Sequence, residues 1–158
     1  MTLPRASQLA SASTAQADDI LELPYERRQI SRQRVTLASG IEIGLFLPRG
    51  TVLHNGDRLA LDNGRIVEVS AAAEALSRAR ADDALLLARG AYHLGNRHVW
   101  VEIGGDSLFY LEDHVLDQML VALGLTVQHL QRPFEPEGGA YAHGGHAAHQ
   151  HSHHHHHD

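Results

Sequence analysis

From Asp18 onward, short apolar runs alternate with polar punctuation at strand-like spacing. Ile20-Leu21-Glu22-Leu23 reads as a strand stopped by Pro24, and Arg32 to Leu37 as another, ending at a Ser39-Gly40 turn. Ile41 to Leu47 alternates partly with period two before Pro48. Thr51-Val52-Leu53, Arg58 to Leu61 and Ile66 to Val69 complete the set, with Asn55-Gly56 and Asn63-Gly64 between them. Asn-Gly between short alternating runs is a strong hairpin signal, so residues 18–70 are expected to form a small N-terminal all-β domain. Residues 1–17 are rich in Ala and Ser and have little to bury, so a disordered leader is expected there.

After Ser70 the period changes. Glu74 to Ala81 reads as a strand, although its alanines leave a helix open. Asp82-Asp83 offers an N-cap and an acidic first turn. Ala84, Leu87, Ala88 and Ala91 then follow at i, i+3, i+4, i+7, and Gly95 is the expected helix stop. Val99 to Ile103 and Ser107 to Leu111 form a hairpin around Gly104-Gly105-Asp106. Asp113 caps a second helix whose apolar stripe is Leu116, Met119, Leu120 and Leu123, ended by Gly124. Leu125 to Leu130 is a last strand before Pro133. The order is β-α-β-β-α-β, the split arrangement called ferredoxin-like. The expected class is therefore α+β: a β domain, a ferredoxin-like domain over residues 71–135, and a flexible His-rich tail over 136–158. Two helices on one face of the sheet would leave its other face open.

Composition narrows the chemistry. The formal charge is −6 with histidine neutral, and there is no lysine. A phosphate-backbone binder needs a basic stripe, so no nucleic-acid partner is expected. No apolar run reaches membrane-spanning length, and the first residues lack the continuous apolar stretch of a secretory signal, so a cytoplasmic protein is expected. Without cysteine there is no disulfide and no thiolate site. Any metal is then held by His, Asp, Glu, backbone or water, and imidazole suits nickel, copper, zinc and iron.

Histidine is the conspicuous donor. Nine of the fourteen histidines stand in the tail: His143, His146, His149, His151, His153, His154, His155, His156 and His157. Imidazoles on a mobile chain can wrap a divalent ion in many geometries. An expression tag is the plain alternative. Against it, the longest run is five and is followed by Asp158, and the histidines begin well upstream, spaced by Gly, Ala, Gln and Ser. His98 stands where the first long helix hands over to a strand. Alone such a histidine is usually structural or merely exposed rather than ligating, but near a twofold axis every residue occurs twice, and two imidazoles facing each other make a site. His114 follows the N-cap Asp113, where the helix dipole disfavours imidazolium and favours a free nitrogen; an exposed polar residue at a helix start is the equal alternative. His54 reads as a turn residue, His93 as helix surface or core edge, and His129 as either structural or functional. Taken as a random coil, the tail spans on the order of 20–24 Å, enough to reach the folded part.

Three motifs together resemble the UreE-type urease accessory proteins: Ala91-Tyr92-His93-Leu94-Gly95-Asn96-Arg97-His98, Asp113-His114-Val115-Leu116-Asp117-Gln118-Met119-Leu120, and Phe134-Glu135-Pro136-Glu137-Gly138-Gly139-Ala140-Tyr141. The resemblance implies a homodimeric nickel metallochaperone with a peptide-binding-like β domain and a ferredoxin-like metal-binding domain. It implies that His98 is the interfacial ligand and that His114 matches a peripheral one; where some members carry a second peripheral histidine this chain has Glu112. It also implies the partners: the urease apoprotein complex and the urease accessory GTPase. Ni2+ is the expected cargo, with Cu2+ and Zn2+ also binding. General storage or detoxification of nickel, copper or zinc through the tail is the alternative. A hydrolytic metalloenzyme needs a fixed metal, an open position and a base, and no His-Glu-x-x-His or comparable cluster is present, so no catalysis is expected.

Overall fold

The computed structural model describes residues 2–11 and 15–139. The first part is a six-stranded sheet. Its strands are β1 (Arg5–Leu9), β2 (Asp19–Leu23), β3 (Arg32–Thr36), β4 (Glu42–Phe46), β5 (Arg58–Leu61) and β6 (Ile66–Ala71), in the order β2-β6-β5-β1-β4-β3. Leu21, Ile43, Leu45, Leu53, Leu59 and Val67 are fully buried in its core. Both Asn-Gly turns form where the pattern sets them. Thr51-Val52-Leu53 is not a strand, although Leu53 is buried.

The expected leader is corrected by β1. Residues 5–9 pair in parallel with β4 and antiparallel with β5, inside the sheet. Ala6 alone of this strand is buried. The strand is held by backbone hydrogen bonds to segments distant in sequence, which local apolar content does not register.

The second part is a four-stranded antiparallel sheet with two helices. In chain order these are β7 (Ala73–Arg80), α2 (Ala84–Asn96), β8 (Glu102–Ile103), β9 (Ser107–Leu111), α3 (His114–Leu123) and β10 (Thr126–Pro133); the short α1 (Tyr25–Arg28) lies in the first part. The sheet order is β10-β7-β9-β8, antiparallel throughout. β10 pairs with β7 over eight residues and ends at Pro133, which an edge strand tolerates because its outward N–H has no partner to lose. Asp83 and Asp113 cap their helices as expected, their carboxylates accepting from Leu86 N at 2.8 Å and Leu116 N at 3.0 Å. Leu94, Leu116 and Leu120 pack on Ala79, Leu108 and Tyr110.

The opposite sheet face is not left open. Leu76, Phe109 and Phe134 bury there against Tyr25 of α1, which also meets Trp100 edge-on at 4.9 Å. Arg28, 0% exposed, stitches the two parts together. Its guanidinium donates to the carbonyls of Leu23 (3.2 Å), Leu53 (3.1 Å) and Phe134, and to the Glu135 carboxylate at 2.8 Å. Glu135 also accepts from Asn55 N at 2.9 Å and faces His54 Nδ1 at 3.0 Å. Glu137 N donates to Val101 O, so the chain is fastened to the second part up to the root of the tail. His54, read as a turn residue, thus belongs to the junction.

Candidate metal site

Helix α2 does not stop at Gly95, which lies in its last turn. Arg97 is the C-cap, and the left-handed residue that follows is His98, with φ 55°. Helix α3 ends in the ordinary way, with Gly124 at φ 108°. His98 is the only non-glycine residue with positive φ among those described. A Cβ in this region costs roughly 1–2 kcal/mol, so the chain keeps an imidazole where glycine would relieve strain. The conformation turns the chain sharply, leaving His98 exposed, and its ring has no hydrogen-bond partner among the described residues.

His98 lines a groove of about 350 Å3 with Trp100, Tyr110, Leu111, Glu112 and Asp113. The groove therefore combines an imidazole, two carboxylates and an apolar wall. His114 opens α3 beside it, exposed, with Nε2 facing Gln118 Nε2 at 3.1 Å. That contact makes Nε2 the acceptor, and Nδ1 meets no partner among the described residues. His93 is half-buried on α2 and touches the Tyr92 ring. The tail histidines His143, His146, His149, His151 and His153 to His157 lie outside the described residues. Among the described residues no three His, Asp or Glu side chains converge to hold an ion. Imidazole is a ligand type suited to Ni2+, and one such donor with water is a weak site.

Sequence reasoning missed a polar chain behind the groove. Asp117 lies on the buried face of α3, next to Leu116 and one turn before Leu120. It accepts from the Tyr110 hydroxyl at 2.6 Å and meets His129 Nε2 at 2.6 Å. The signal was available: an acid at a core-facing helical position needs partners. Burial, and then the Asp117 carboxylate, push the Tyr110 phenol above its ordinary value, so it stays a donor. Burial works to raise Asp117 as well, but the nearby Ser77 hydroxyl and the hydrogen bonds from Tyr110 and His129 outweigh it and hold the carboxyl below its usual range. Ser77 Oγ is buried and meets no partner at full hydrogen-bonding geometry, so its help is the weaker kind.

The bond to Asp117 raises His129, with Glu112 assisting from 3.5 Å. A raised folded-state value means the pair's contribution to stability is complete below the free imidazole value of 6.5 and fades as pH rises through the folded one. We expect an NMR titration to find His129 above 6.5, and His129→Gln to flatten the stability profile above that pH. An unshifted His129 resonance would contradict the assignment.

The chain is thus a two-part α+β protein whose second part presents exposed imidazoles beside a partly apolar groove. Family models describing the UreE urease accessory protein N-terminal and C-terminal domains match residues 2–72 and 74–158. The urease accessory protein UreE of Alkalilimnicola ehrlichii is 56% identical over 127 residues, 80% of this chain and 78% of that one. The proteins of the same name from Ralstonia nicotianae and Citrobacter koseri are 49% identical (91% of this chain, 67% of theirs) and 51% identical (83% and 89%). The chain belongs to the UreE family of urease accessory proteins.

Proposed function

We propose that the chain acts in urease maturation as a nickel metallochaperone, carrying Ni2+ as cargo and catalysing nothing. The observation that carries this reading is His98: exposed, strained and without a partner for its ring among the described residues. One protomer's described residues offer no chelating set, so a tight site on His98 draws donors from a second copy or from the tail. Exposed Tyr92, Leu111 and Val115, on or beside the elements that frame the groove, suit a face covered by that second copy. His114 would be a peripheral ligand, and His143 to His157 would gather ions and raise their local concentration at the groove.

The partners in this reading are the urease apoprotein complex and the accessory GTPase, in the cytoplasm. No described helix is long and apolar enough to cross a membrane. The order β10-β7-β9-β8 with two helices supports a ferredoxin-like second domain over residues 71–135, beside a β domain over 18–70 and a tail over 136–158. Cu2+ and Zn2+ would bind as well, copper more tightly, as nitrogen sites generally prefer. Storage or detoxification through the tail is the second reading.

Calorimetric titration with Ni2+, Cu2+ and Zn2+, on the whole chain and on a form lacking residues 142–158, tests the proposal. Truncation should remove most of the capacity and leave one tighter ion per two chains. Capacity should fall as pH drops through about 6–7, because imidazole must be neutral to ligate. A truncated form that binds nothing favours storage. Unchanged stoichiometry and affinity would remove the tail from the scheme.

A further inference from the structure

The outer face of the first sheet carries a feature that nickel handling does not use. β3, β4 and β1 lie side by side, with Arg32 opposite Phe46, and with Arg34 and Arg5 opposite Gly44 from either side. Strand alternation sends Ile43 and Leu45 inward and leaves Arg5, Arg32, Arg34 and Phe46 outward. Gly44 is what lets the Phe46 ring lie down on the sheet: a Cβ there would stand 2.8 Å from Phe46 Cε2. The Arg5 guanidinium lies over the same ring, 4.8 Å from its centre. The result is an aromatic plate, 43% exposed, set among guanidinium groups. Open depressions of about 420 and 730 Å3 flank it, the second reaching Ile30 and Arg49.

The charge of this face opposes that of the chain, which is −6 overall. Among the described residues Arg32 and Arg49 make no ion pair, and Arg34 has only Glu42 at 4.0 Å, both exposed. Exposed pairs of this kind contribute little and exchange readily.

We infer that this face docks an extended acidic segment of a partner protein. Guanidinium forks match carboxylates, and a phenyl plate between them takes an apolar side chain. Arg32 and Arg34 repeat along their strand at roughly 6.4–6.8 Å, the repeat of alternate side chains in any extended peptide. The segment lies across the face rather than along the sheet edge. The edge of β3 is already occupied, with Arg27 donating to Arg34 O at 3.2 Å and Gln33 donating to the carbonyls of Arg27 and Ile30. A polynucleotide fits less well, because the whole chain repels it and the face offers a single aromatic ring for stacking.

The test is fluorescence anisotropy near physiological salt, on the full chain, with a short labelled peptide bearing glutamate at alternate positions, serine between and one central leucine. Arg32→Glu with Arg34→Glu should weaken binding by about tenfold or more, as expected where charge pairs make the contact. Phe46→Ala, and Gly44→Ala acting only by displacing the ring, should each weaken it severalfold. Arg89→Glu on α2 alters net charge equally per site and should change little. Nickel titrations of the same variants should be unchanged, which separates this inference from the metal proposal. Absence of peptide binding, equal loss with Arg89→Glu, or tighter binding of a labelled oligonucleotide or anionic vesicles at the same arginines would each overturn it.

Discussion

His98→Ala is expected to abolish the proposed shared nickel site while leaving the fold intact. The side chain is exposed and makes no hydrogen bond among the described residues, so its removal costs no packing. Two copies of a dimer would lose both imidazoles at once, and calorimetry on the tail-less form should lose its one-ion-per-two-chains phase altogether. Urease activation in a reconstituted system should fall with it. His98→Gly sharpens the test. It removes the same ligand but relieves a backbone angle of 55°, so it should raise stability by about 1 kcal/mol relative to His98→Ala. A variant more stable and less able to carry nickel is the signature of strain retained for a ligand. If His98→Ala activates urease normally, the storage reading gains and the interfacial site is lost.

The largest effect on stability is expected at Arg28. Replacing it with Met keeps much of the aliphatic volume but strands the carbonyls of Leu53 and Phe134 and takes one donor each from Leu23 O, which keeps Ala72 N, and from the Glu135 carboxylate at the seam between the two parts. Removing one partner of a buried pair typically costs about 3–5 kcal/mol. Glu135 is one-third exposed and keeps Asn55 N and His54, so the lower end, about 3 kcal/mol, is expected. Glu135→Gln should cost less, near 1 kcal/mol, because an amide oxygen still accepts from Arg28. Urea unfolding measures both, and Arg28→Met should shift the midpoint substantially. A midpoint moved no more than by a surface substitution would contradict the stitching role.

The parts of the fold that were legible in the sequence share one trait: their information is local. Both long helices follow from Asp83 and Asp113 as caps and from apolar residues at helical spacing, and the two Asn-Gly turns announce themselves. β1 was illegible because Ala6 is its only buried residue, and its partners are β4 and β5. The end of α2 was misread because Gly95 is the residue type expected at a stop, whereas the chain puts the left-handed angle on His98. At the site, His98 and His114 were chosen from sequence, but the Tyr110–Asp117–His129 chain and the Arg28 seam depend on side chains brought together from separate elements. No spacing rule joins Arg28 to Glu135 across the length of the chain.

The position of β1 also governs how the protein is assembled as it is made. β1 leaves the ribosome before both of the strands it lies between, which emerge dozens of residues later. Until β4 and β5 have been synthesised, its backbone has only water for a partner. The sheet therefore closes around β1 late, after long-range loops have formed. Extra sequence fused ahead of Arg5 would burden that slow closing step before it touched any mature function.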